Sequence, residues 1–155
     1  MRGRGNANEP IKVVPNQTLE EVSGSWPNDN IGVRIGDYMF RPHQHWTITA
    51  VPEAGGYLSN PYFKITVTGT DRALTATANM EVIAAPSFTG ADEQLWRIEQ
   101  LTDGTFRIMP KSIPGKPGLN KEFVLYSIGD STPTLAKYDF NNDNSKWNLK
   151  KQSRF

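Results

Sequence analysis

Trp46, Trp96 and Trp147 recur at intervals of about 50 residues, which divides the 155-residue chain into near-equal thirds. Each is followed by a polar and then an aliphatic residue, in Trp46-Thr47-Ile48, Trp96-Arg97-Ile98 and Trp147-Asn148-Leu149. Two are preceded by Gln at the same offset, in Gln44-His45-Trp46 and Gln94-Leu95-Trp96; the third has a shorter polar residue, in Ser145-Lys146-Trp147. A period of this length marks one structural unit used three times, since a unit of that size buries its apolar face only against its neighbours.

The unit reads as β-structure. Glycine (13) and proline (11) interrupt the chain often, and short β-branched runs lie between them with no sustained helical period. Strands are expected at 11–14, 18–22, 31–35 and 46–51, then at 62–68, 73–77, 81–84 and 94–100, and finally at 105–110, 123–127, 134–138 and 146–150. The opening strands share one chemistry, apolar then basic then aliphatic, in Ile11-Lys12-Val13, Phe63-Lys64-Ile65 and Phe106-Arg107-Ile108. That alternation suits a strand with one buried face. Twelve strands in three pseudo-symmetric repeats imply an all-β β-trefoil, a six-stranded barrel capped by three hairpins, with the tryptophans buried near the pseudo-threefold axis. One domain over 1–155 is expected, with repeats at approximately 9–54, 55–103 and 104–152.

Composition narrows the function. A net charge of +1 creates no field to recruit nucleic acid, and the basic residues at Arg2/Arg4 and Lys150/Lys151/Arg154 are terminal. Without cysteine there is no disulfide, thiolate zinc site or cysteine nucleophile. His43 and His45 have no acidic cluster beside them, the carboxylates Asp37, Glu53, Asp92 and Glu93 are scattered, and no phosphate-binding loop is present. A non-enzyme without metal or cofactor is expected. No apolar run approaches the ~18 residues of a membrane span, and the N-terminus does not read as a secretory signal. The expected setting is cytoplasmic, or outside the cell by an unconventional route.

The Gln-x-Trp repeats resemble the ricin B-chain-type (R-type) lectin domain over about residues 9–152, and the middle third is similar to fungal cytosolic members of that group. The resemblance implies up to one shallow sugar pocket per repeat, for galactose or GalNAc-type terminal sugars. In such a pocket a carboxylate near the second strand accepts sugar hydroxyls, an aromatic ring after the third strand stacks on the sugar, and an Asn or Gln near the Trp completes the grip. In the first repeat these roles fall to Glu20, to Tyr38 or Trp26 (Gly36 being in register), and to His43 and Gln44. The second repeat keeps Gln94 but offers Thr75 and Pro86 for the carboxylate and the ring. The third offers Tyr138 as the ring and Asn141, Asn142 and Asn144 in a polar loop; Leu125 and Ser145 replace the carboxylate and Gln, with Asp130 in the following turn. No repeat holds the whole set. The first is favoured and the third comes second, with glycans or glycoproteins as partners and homodimerisation expected from the avidity of paired weak sites.

The alternative is a fungal β-trefoil protease inhibitor, also cysteine-free, acting through an exposed loop. Candidates are 23–30, which contains Trp26, and 111–120, whose two prolines would lower the entropic cost of docking. Lys111 before Ser112 is the better primary residue, because Lys116 precedes Pro117.

Overall fold

The protein is seen in a computed structural model that describes residues 8–9, 11–13, 17–21, 31–37, 44–57, 60–127 and 133–149, with side chains from Gln44 onward except at Tyr57. The first third contains β1 (Asn8–Glu9), β2 (Ile11–Val13), β3 (Gln17–Glu21), β4 (Ile31–Asp37) and β5 (Trp46–Ala50). The second contains β6 (Gly56–Tyr57), β7 (Asn60–Pro61), β8 (Phe63–Val67), β9 (Ala73–Ala76), β10 (Val82–Ala85) and β11 (Trp96–Gln100). The last contains β12 (Phe106–Pro110), β13 (Phe123–Tyr126), β14 (Thr134–Lys137) and β15 (Trp147–Leu149). Every expected strand overlaps one of these, and β1, β6 and β7 are two-residue additions.

Antiparallel pairing runs from β5 to β8, β11, β12, β15 and β2 in turn. The ring closes because Asn8–Glu9, just ahead of β2, pairs with Thr47 and Trp46 of β5. Three hairpins, β3–β4, β9–β10 and β13–β14, cap the ring. They also meet one another: Ile83 of β10 lies opposite Gly32 of β4, and Glu81 bridges to Thr134. Met80, at φ 65°, turns its carbonyl to accept the Leu135 N–H and the Thr134 hydroxyl, each at 2.8 Å. The cost of a left-handed backbone at a non-glycine residue is thus offset by two bonds between hairpins. A closed ring with three hairpin caps is a β-trefoil.

Side-chain alternation selects the core. On β8, Phe63, Ile65 and Val67 point inward and Lys64 outward; on β12, Ile108 is inward and Arg107 outward. Full burial of each such aliphatic or aromatic side chain contributes about 1.5–3 kcal/mol. Trp46, Trp96 and Trp147 are each 0% exposed, belong to one core cluster, and are the first residues of β5, β11 and β15. An indole carries an N–H that needs an acceptor wherever it is buried. Trp96 Nε1 donates to the Leu74 carbonyl at 3.0 Å, and Trp147 Nε1 to the Leu125 carbonyl at 2.9 Å, both across 22 residues. Each bond ties the fourth strand of a repeat to its second.

The residue two before each Trp ends a 3₁₀ turn and does not open a strand. The expected strand 94–100 therefore starts at Trp96, after the turn Asp92–Gln94. Gln94 is 4% exposed and its amide is fully used. Its oxygen accepts the Thr89 N–H at 2.7 Å and lies 3.2 Å from the Thr89 hydroxyl, while its nitrogen donates to the Ser87 carbonyl at 3.0 Å and reaches the Thr75 hydroxyl at 3.3 Å. The amide braces the loop between β10 and the Trp. In the third repeat the fully buried Ser145 hydroxyl lies within reach of the Asp139 and Asn142 carbonyls, at 3.0 and 2.8 Å, and pins the corresponding loop.

Two predictions follow from these bonds. Trp96→Phe and Trp147→Phe each leave a buried leucine carbonyl without its donor, and each should lower unfolding free energy by about 1–3 kcal/mol in urea titration followed by circular dichroism. Gln94→Met keeps the chain length but strands the Thr89 N–H, and should cost a similar ~1–3 kcal/mol. A midpoint unchanged by Gln94→Met would remove the bracing role.

Candidate functional site

The residues expected to form the first-repeat pocket are only partly described. Glu20 sits in β3 opposite Arg34 of β4, and Gly36 opposite Thr18. Trp26, Tyr38 and His43 lie outside the described residues, as do loop 23–30 and Asp130. Gln44, expected in the sugar grip, is 1% exposed. At the corresponding position of the second repeat, the Gln94 amide is bonded to loop backbone.

In the second repeat Thr75, at the carboxylate position, donates its hydroxyl to the Ala73 carbonyl at 2.9 Å and accepts from Gln94. Pro86 is half-buried. The ring in this repeat is Phe88, with Lys64 Nζ 5.1 Å from its centre.

The third repeat forms a cleft of about 230 Å³ between the outer face of β12 and the β13–β14 hairpin. That is below the roughly 300–1,000 Å³ of pockets for drug-sized ligands. Tyr138, just after β14, supplies one wall, and Glu122, just before β13, lies beside it. The two are tied together by backbone, since the Tyr138 N–H donates to the Glu122 carbonyl at 2.9 Å. Arg107 reaches the cleft from β12 and places its guanidinium 4.9 Å from the centre of the Tyr138 ring. The same guanidinium donates through Nε and Nη2 to one Glu99 carboxylate oxygen, at 3.0 and 2.7 Å. Glu99 is its cross-strand neighbour. Arg107 is therefore fixed from two sides and holds the ring in place. Lys121 and Lys137 complete the rim, and Lys137 Nζ is 3.5 Å from the Glu122 carboxylate.

Of the residues expected beside Tyr138, Asn142 serves the loop. Its side-chain oxygen caps the 3₁₀ turn Asp143–Ser145 through the Asn144 N–H at 2.9 Å, and its amide nitrogen donates to the Tyr126 hydroxyl. Asn141 and Asn144 are exposed. Leu125 is fully buried and serves as the acceptor for Trp147. The same loop exposes Phe140, whose ring stands 4.7 Å from Lys146 Nζ; that ammonium also lies 3.4 Å from Asp103 and 3.8 Å from Asp143. The Thr105 hydroxyl and N–H hold the Asp103 carboxyl below its ordinary range.

Sequence reasoning did not single out Arg107, Glu122, Lys121 and Lys137, which line this cleft. The signal for Arg107 was the basic residue in the middle of each opening strand. In the second and third repeats that residue stands against the ring that follows the third strand, as Lys64 on Phe88 and Arg107 on Tyr138.

Loop 111–120 is folded back on itself. Ile113 is 2% exposed in the core, Lys116 N–H donates to the Ile113 carbonyl, and only 115–118 are fully exposed. Lys111 is held at 3.1 Å from the Ala54 carbonyl, 3.2 Å from Asp92 and 4.9 Å from the Tyr62 ring. Among the described residues no helix is long and apolar enough to cross a membrane.

The family model described as "Ricin-type beta-trefoil lectin domain-like" matches residues 42–114. Among solved structures, a mosquitocidal holotoxin superposes with a TM-score of 0.76 at 17% identity, over 96% of this chain and 17% of that one. The designed threefold-symmetric protein ThreeFoil superposes at 0.69 with 18% identity, over 91% of this chain and 96% of that one. The lectin of Polyporus squamosus, solved with a human-type influenza-binding epitope, superposes at 0.67 with 18% identity, over 96% of this chain and 50% of that one. The chain thus spans a small part of the holotoxin and half of the Polyporus lectin. No curated protein matches by sequence. The closed ring and the three buried indoles make the chain a β-trefoil, and its segment 42–114 is similar to the ricin-type β-trefoil lectin-like domain.

Proposed function

We propose that this protein is a non-catalytic carbohydrate-binding module whose third repeat holds a terminal sugar in the cleft between Glu122 and Tyr138. The ricin-type lectin-like segment and the lectin neighbour support carbohydrate binding in general. The observation that carries the location is the cleft itself, which Tyr138, with Arg107 against its ring, and the carboxylate-bearing Glu122 line together. The Tyr138 ring offers an apolar platform to the C–H face of a pyranose, and Glu122 accepts hydrogen bonds from two neighbouring hydroxyls. Galactose or GalNAc is the sugar class that the resemblance to R-type lectins supports. Asn141, Asn144 and the exposed Phe140 lie on the loop that follows Tyr138, where the next sugar of a chain would pass.

Glycan-array screening of the intact protein identifies the sugar. On the best ligand, Tyr138→Ala should abolish measurable binding. Glu122→Gln, which removes a charge-assisted acceptor worth about 1.5–3 kcal/mol, should weaken it roughly tenfold to a hundredfold. If binding survives Tyr138→Ala and is lost on Glu20→Ala, the working pocket belongs to the first repeat; an array with no glycan signal overturns the reading.

A further inference from the structure

The rim of the third-repeat cleft is more basic than a neutral sugar requires. Arg107, Lys121 and Lys137 line it, against the single carboxylate of Glu122. The whole chain has a formal charge of only +1, so this is a local concentration of cations and not a generally basic surface. The three differ in freedom. Arg107 is committed to Glu99 and to the Tyr138 ring, while Lys137, with a side chain 74% exposed, meets Glu122 only through an exposed contact at 3.5 Å. Lys121 is exposed on the last position of the 3₁₀ turn Leu119–Lys121 and has no ion pair among the described residues. An exposed lysine pair of this kind is worth little in itself and is readily exchanged for another anion.

Resting on the proposed sugar site, we infer that the cleft selects an acidic sugar, one that carries a carboxylate or sulfate group, with Lys121 and Lys137 as the residues that read the charge. The pyranose ring stacks on Tyr138 and its hydroxyls meet Glu122. The acidic substituent points to the lysine rim, where an ammonium replaces the water that a neutral sugar would leave there. The contact is exposed, so salt screens it, with a Debye length of about 10 Å at 0.1 M ionic strength.

The test is a titration of the intact protein, followed by NMR, with galactose, galactose 6-sulfate and galacturonic acid at low and high salt. Both acidic sugars should bind more tightly than galactose at low salt, and the advantage should shrink at high salt. A stronger response to one of them identifies sulfate or carboxylate as the preferred group. K121Q and K137Q should each reduce the acidic-to-neutral preference by up to about fivefold, and together should bring it close to one. Galactose bound as tightly as both acidic forms, or a preference untouched by the double substitution, overturns the inference and leaves the sugar site standing. No response to any of the three overturns the sugar site and the inference together.

Discussion

The hydrogen bond from a buried indole N–H to a backbone carbonyl of the same repeat organises this molecule. Trp96 reaches the Leu74 carbonyl and Trp147 the Leu125 carbonyl across the same sequence separation, and both rings are wholly enclosed. A large aromatic is well suited to this place. It fills the wide centre of a closed six-membered ring of strands, and its one polar atom supplies the donor that a buried strand carbonyl needs.

The outward faces of the same strands carry the chemistry. On β12, Ile108 packs into the core while its neighbour Arg107 points outward, pairs with Glu99 and lies against Tyr138. Lys64 and Phe88 repeat the arrangement in the second third. A cation beside a ring is worth about 0.5–1 kcal/mol at exposed sites. Here it adds to the burial of the Tyr138 hydroxyl and the backbone bond to Glu122 in holding the ring. The threefold plan thus places a ring and a basic residue together in two repeats, and the third repeat opens a cleft next to them.

The strands and the buried tryptophans were legible in the sequence because they rest on alternation and on period, two signals that burial imposes directly. The functional meaning of Gln-x-Trp was not. Nothing local distinguishes an amide that grips a sugar from one that braces a loop, and the bonds of Gln94 to Ser87 and Thr89 appear only when the loop is closed. Tyr138, which lines the cleft, was singled out because an aromatic directly after a strand ends is conspicuous. Glu122 was not, since it belongs to a 3₁₀-turn exit whose approach to Tyr138 depends on a backbone bond between hairpin arms. Lys111 shows the same limit from the other side: it reads as a displayed basic residue, and it is held by Asp92 of the second repeat and Ala54 of the first.

The seam of the ring joins distant parts of the chain. Asn8–Glu9 pairs with β5, and Ile11–Val13 pairs with Leu149–Trp147 near the other end. During translation the final strand emerges last, so the nascent chain on the ribosome has an open barrel whose first strand lacks one neighbour until synthesis of this region is complete. Pairings this far apart in sequence form slowly and leave strand edges exposed in the interval. For this chain, then, the vulnerable moment is the wait between the making of the strand at Ile11–Val13 and the arrival of its partner at Trp147–Leu149.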